Sequence, residues 1–254
     1  MTKYLLIDTH VHMHQEYNLD NALDSAWTNF SKQSRGSSFE NCLGVLFIYS
    51  LRAEEFINSE YLESRQSKAW VFKQIDKITI EARSLQKKIL IKTGYQVVSN
   101  EGIEVLIQTN NADEFFGEDT ESIIEKALDD KLLVILPWGV GKWLGRRGKI
   151  INRIIGKYGS RIFLGDNSAR PWFWQNVAQF KLAKKYKARI LPGTDPLSIS
   201  GEEKIIGACG VRCEVNKLND YDIIEILTSH QITSYGQFES VYRFFYNQFK
   251  LRIT

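Results

Sequence analysis

The strongest constraint on this chain is alternation. Short apolar runs recur seven times, at residues 4–10, 43–49, 89–98, 104–108, 132–136, 161–165 and 188–192. Helix-like spacing fills residues 19–32, 54–72, 120–129, 148–158 and 172–186, and two more helices are expected at 219–230 and 235–249. Strand and helix taking turns predicts parallel strands with crossover helices. The expected fold class is therefore α/β, a single TIM-like (β/α) barrel of seven or eight strands over residues 1–254. Four prolines and no Gly/Ser-rich stretch leave no visible linker. Asn18 suits the N-cap of the first helix, and Asn167 or Ser168 that of the helix beyond Pro171. Ile78-Thr79-Ile80 fits a short strand or the middle of a long helix.

A barrel of this kind carries its site at the C-terminal ends of its strands. The first run ends Asp8-Thr9-His10-Val11-His12, which uses two of the chain's four histidines. Residues i and i+2 of a strand share a face, so both imidazoles can address one ion. The run 132–136 leads into Pro137-Trp138-Gly139, with Lys142, Arg146 and Arg147 following. The run 161–165 leads into Asp166-Asn167, with Arg170 four residues after Asp166. The run 188–192 leads into Gly193-Thr194-Asp195-Pro196. Arginine presents a planar fork suited to phosphate or carboxylate. Lys142, Arg146, Arg147 and Arg170 are therefore expected to bind an anionic group, with Trp138 and Asn167 lining its pocket. His14 is a candidate extra ligand, and His230 reads as a helix-end residue.

Composition narrows the classes. The net charge of +3 does not by itself indicate nucleic acid, so a small anionic substrate is the expected partner. Three cysteines, Cys42, Cys209 and Cys213, suit a reducing compartment better than a disulfide framework. No apolar run approaches a membrane span, and Met1-Thr2-Lys3 leads straight into a strand, so no membrane partner and a cytoplasmic location are expected. Gly139-Val140-Gly141-Lys142-Trp143 lacks the glycine spacing and the Ser/Thr of a phosphate loop. No G-x-S-x-G elbow is present for a serine hydrolase. Composition leaves the oligomeric state open.

The Asp-x-His-x-His opening, taken with Gly193-Thr194-Asp195 on a late strand, resembles the PHP-type phosphoesterases and, more distantly, the amidohydrolases. The resemblance extends over residues 4–200. It includes a Gly94-Tyr95-Gln96 strand followed by a hairpin to Glu104, with Gln96 where the family has a bridging Glu. The late strand keeps the Asp and lacks the family's following His, and no His lies between His14 and His230. The resemblance implies a divalent metal (Zn, Mn or Fe), as one or two ions, held by His10, His12 and Asp195 with Glu104. Asp195 or Asp166 would orient the metal-bound water. The implied activity is hydrolysis of a phosphate ester. Hydrolysis of a C–N bond or lactone stands beside it, as does a binding protein that has lost part of its metal site.

Overall fold

The computed structural model describes residues 3–34, 41–139, 141–168, 170, 174, 176–216 and 222–236. The first apolar run forms β1 (Lys3–Val11), and Asn18 caps α1 (Leu19–Gln33) by accepting a hydrogen bond from the Asn21 N–H. Helix α1 buries Leu19, Ala22, Leu23, Ala26 and Phe30, an apolar stripe at helical spacing that packs on the outside of the sheet. The chain continues through β2 (Cys42–Ser50), α2 (Ser59–Ser64), β3 (Val71–Asp76), β4 (Thr79–Ser84), β5 (Lys87–Val98) and β6 (Glu104–Ile107). There follow α3 (Thr120–Asp129), β7 (Val134–Pro137), α4 (Gly145–Tyr158), β8 (Phe163–Asn167), α5 (Ala178–Tyr186) and β9 (Arg189–Gly193). The last described elements are β10 (Gly210–Val215), α6 (Ile223–Ser229) and β11 (Ile232–Tyr235).

The strands form one mixed sheet whose main path runs β11-β10-β1-β2-β5-β6-β7-β8-β9, with β3 and β4 branching from β5. The sheet curls until β9 lies against β1. There the Thr9 hydroxyl donates to the carbonyls of Leu191 (3.2 Å) and Pro192 (2.9 Å), and the Asp195 N–H donates to the His10 carbonyl (2.8 Å). The result is a nearly closed barrel. Leu5, Ile7, Val45, Phe47, Leu90, Leu106, Ile135, Phe163 and Leu191 belong to one apolar cluster, and Ile223, Ile226 and Leu227 of α6 pack into the same cluster.

This corrects the expectation of a TIM-like (β/α) barrel. The pairs β1–β2, β2–β5, β7–β8 and β8–β9 are parallel, but β5–β6, β6–β7, β1–β10 and β10–β11 are antiparallel. The tight turn between Val98 and Glu104 leaves no room for a crossover helix, so β6 must run backwards. The helix expected over 54–72 is reduced to α2. Its last residues begin the β3–β4 hairpin, where Phe72 is buried and Val71 exposed as strand alternation requires. Strand β10 was not foreseen, and β11 takes residues placed between and within the two final helices. Of those helices, residues 219–221 and 237–249 lie outside the described residues. Asn167 lies inside β8 rather than capping a helix, and α5 begins after Val177. Among the described residues no helix is long and apolar enough to cross a membrane.

The closure leaves no space at Gly193. A Cβ there would lie 2.4 Å from the His10 nitrogen, a backbone atom that cannot swing aside. Gly193→Ala is expected to cost about 1–3 kcal/mol by overpacking, read as a lower midpoint in denaturant melts. An unchanged midpoint would mean that β1 and β9 are not in contact.

Candidate metal centre

The end of β1 is held by a buried carboxylate. Asp8 accepts hydrogen bonds from the Thr194 N–H (2.9 Å) and hydroxyl (2.6 Å) and from the Gly207 N–H (2.9 Å). These bonds fix the turn after β9, where Asp195 adopts the left-handed backbone conformation with φ of +45°. Asp tolerates that region better than most side chains, and such outliers cluster at functional sites. The turn aims the Asp195 carboxylate back across the barrel mouth.

Three of the residues that the resemblance implies as ligands meet there. His10 Nε2 and His12 Nε2 are 3.0 Å apart, and both approach Asp195 Oδ1, at 3.6 and 3.7 Å. His10, His12 and Asp195 form a group able to hold a metal ion. Two imidazole nitrogens and one carboxylate oxygen are a donor set suited to a divalent ion with an open position. Burial pushes the His10 imidazole down to about 4, so near pH 7 its ring is neutral and offers a lone pair. Burial alone would raise the Asp195 carboxyl. His10, His12, Lys142 and the Asn167 amide outweigh it and hold the group below its usual value, hence ionised.

The surroundings orient these donors. His12 Nδ1 lies 3.0 Å from the Tyr49 carbonyl, and its Nε2 lies 3.1 Å from Gln96 Oε1. The Asn167 amide donates to Asp195 Oδ2 (3.0 Å) and to the Trp138 carbonyl (3.3 Å). Asn167 Oδ1 is buried without a hydrogen-bond partner, which leaves an acceptor beside the carboxylate. A cleft of about 210 Å³ opens alongside, lined by His12, His14, Ser50, Arg52 and Tyr61 among others. The Arg65 guanidinium donates to the carbonyls of Met13, His14, Gln15 and Tyr17 and so ties down one wall of this cleft.

The other candidates are placed differently. Glu104 is engaged by Lys142, whose Nζ lies 2.5 and 2.6 Å from its two oxygens, and it is not part of the His–His–Asp group. Asp166 and Arg170 form a buried two-pronged ion pair (2.7 and 2.6 Å), so each meets the other rather than a water or an anion. Arg170 also donates to the Trp174 carbonyl. Arg147 reaches the carbonyls of Gly102 and Gly141, and Arg146 is exposed on the first turn of α4. Trp138 is buried, edge-on to Trp174. His14 Nε2 faces the Pro196 carbonyl at 3.0 Å, and His230 closes α6. Asp8, Thr194 and Asn167 carry the geometry. Of these, sequence reasoning assigned only Asn167 to the site, as a pocket residue. The signal for Asp8 and Thr194 was their place in the two strand-end motifs that carry His10 and Asp195.

No family model and no curated protein matches the chain. Solved structures do. PsfC from Pseudomonas syringae PB-5123 aligns with a TM-score of 0.54 at 14% identity, over 93% of this chain and 92% of that one. The lesion-specific endonuclease Q from Pyrococcus furiosus aligns with a TM-score of 0.56 at 15% identity, over 91% of this chain. An endonuclease Q complex with a 27-mer duplex, an abasic lesion at its active site, gives 0.54 at 14% over 92% of this chain. The chain spans 58% of each endonuclease Q chain. The last structure corrects the expectation of a small anionic partner with nucleic acid not indicated, because a protein of this fold holds a DNA duplex at its active site. A net charge near zero was a poor guide, since contact with a phosphate backbone depends on local cations.

Asp8 sets a pH test. Burial pushes its carboxyl up to about 7, against the pull of its hydrogen-bond donors. Above the ordinary value of 3.8 the unfolded chain has released this proton while the folded chain still holds it. Stability is therefore expected to fall as pH rises between about 4 and 7. Denaturant midpoints measured across that range should slope for the wild type and flatten for Asp8→Asn. For the donors, His10→Ala and Asp195→Ala should each abolish uptake of zinc or manganese by mass spectrometry while His230→Ala retains it.

These likenesses show the fold: the chain is built on the same barrel-like architecture as PsfC and endonuclease Q.

Proposed function

We propose that this chain is a single-domain, metal-dependent phosphodiester hydrolase acting on nucleic acid. The observation that carries the reading is the meeting of His10, His12 and Asp195 at one open barrel mouth. The duplex at the active site of a protein of the same fold supports the substrate class. A divalent ion at these donors would polarise a phosphoryl oxygen and acidify a bound water. His10 and His12 supply neutral nitrogens, and Asp195 supplies the one negative charge among the three. Against a divalent ion that sum is positive, which favours an approaching phosphate. Asn167 keeps Asp195 Oδ2 occupied, so Oδ1 is the oxygen left to the ion. Asn167 Oδ1 is suited to accept a hydrogen bond from the attacking water. Arg52, exposed on the cleft wall, is suited to a backbone phosphate.

A second reading is a binding protein without catalysis. Asp166 and Glu104 are each occupied by a cation, which leaves Asp195 as both ligand and proton acceptor.

The two readings part in one experiment. Metal-stripped protein, reloaded with manganese or zinc, is incubated with an undamaged duplex, a duplex carrying an abasic site, and single strands. Metal-dependent strand cleavage, lost in His12→Ala, is expected. Retention of the duplex in a mobility shift, with no cleavage under any metal, would select the binding reading.

A further inference from the structure

The surroundings of His12 are chemically one-sided. Its Nδ1 lies 3.0 Å from the Tyr49 carbonyl, an oxygen that can only accept. Nδ1 must therefore carry the proton, and in the neutral ring Nε2 presents a lone pair. That lone pair faces the His10 Nε2 at 3.0 Å, the Gln96 carbonyl oxygen at 3.1 Å and Asp195 Oδ1 at 3.7 Å. Acceptors crowded on one point repel unless a cation stands among them. Gln96 reaches this point because β5 runs parallel to β2 and carries residue 96 just past the level of Tyr49 and Ser50.

The distances fit an ion. Zinc bound at about 2.0–2.2 Å by nitrogen and oxygen donors sets tetrahedral donor–donor edges of about 3.3–3.5 Å. The printed edges, 3.0, 3.1, 3.6 and 3.7 Å, straddle that range. We propose that Gln96 is the fourth protein ligand, through Oε1, of a mononuclear centre completed by His10, His12 and Asp195. The proposal rests on the metal-dependent reading above and deepens it. An amide carbonyl brings no charge, so the four donors carry the single charge of Asp195. They are too weakly anionic to hold a second divalent ion alongside the first. Glu104, the nearest acid implied by the sequence, is neutralised by Lys142.

The test needs no substrate. Metal-free wild type, Gln96→Ala and Gln96→Glu are titrated with zinc by calorimetry and with cobalt by visible spectroscopy, which reports coordination number. The wild type should take one ion per chain. Gln96→Ala should bind at least about tenfold more weakly and show an altered cobalt band, with an unchanged circular dichroism spectrum. Gln96→Glu should bind more tightly, because it adds a charge at the same point. A Gln96→Ala protein with wild-type affinity and an unaltered cobalt band would overturn the ligand assignment and leave the metal-dependent reading standing. A second tight ion in the wild type would overturn the mononuclear centre. Absence of metal uptake by the wild type would overturn both readings together.

Discussion

The architecture of the site depends on one buried carboxylate. Asp8 sits at the foot of the His-x-His segment and receives three short hydrogen bonds from residues almost two hundred positions away. Two of those bonds come from Thr194, the residue before Asp195. Asp8 therefore sets where the histidines begin and how the opposing carboxylate is turned. Thr9 and Gly193 complete the join, the first by hydrogen-bonding the β9 backbone and the second by having no side chain to obstruct it. Without this contact the curled sheet would have an open seam between β1 and β9, and the three ligand candidates would have no common point.

Charge at the rim is largely matched within the protein. Asp166 is satisfied by Arg170, and Glu104 by Lys142. Buried or half-buried pairs of this kind hold loops in place, and taking away one partner leaves an uncompensated charge. Asp195 differs, because its neighbours are two imidazoles and an amide. Neutral nitrogens gathered around a carboxylate make a poor ion pair and a good metal-binding pocket. The chemistry of the mouth thus separates into paired charges that build the walls and a donor cluster that faces the cleft.

The apolar cluster that fills the barrel and the helices outside it explain why so much strand sequence reads as continuously buried. Strand β2 is buried at all nine positions, as a strand covered on both faces must be. The β3–β4 hairpin, in contrast, alternates and leaves Val71 exposed. It hangs from the first half of β5, while the second half of the same strand pairs with β6.

The sequence by itself determined the seven principal strands, four of the helices to within a few residues apart from a late start to α5, and the three donors His10, His12 and Asp195. Those features are local: apolar runs mark buried strands, and the spacing of two histidines on a strand decides that they share a face. Strand direction, the β3–β4 branch, β10 and β11 were decided by tertiary pairing, because a short apolar run looks the same whichever neighbour it meets. The roles of charged residues were also decided there. Asp166 and Arg170 look like an acid and an anion binder when read singly, and only their approach within 2.6 Å makes them a closed pair. Asp8, Thr194 and Gln96 took on meaning only when distant strands were brought together, since hydrogen bonds and donor clusters depend on distance in space and not on distance along the chain.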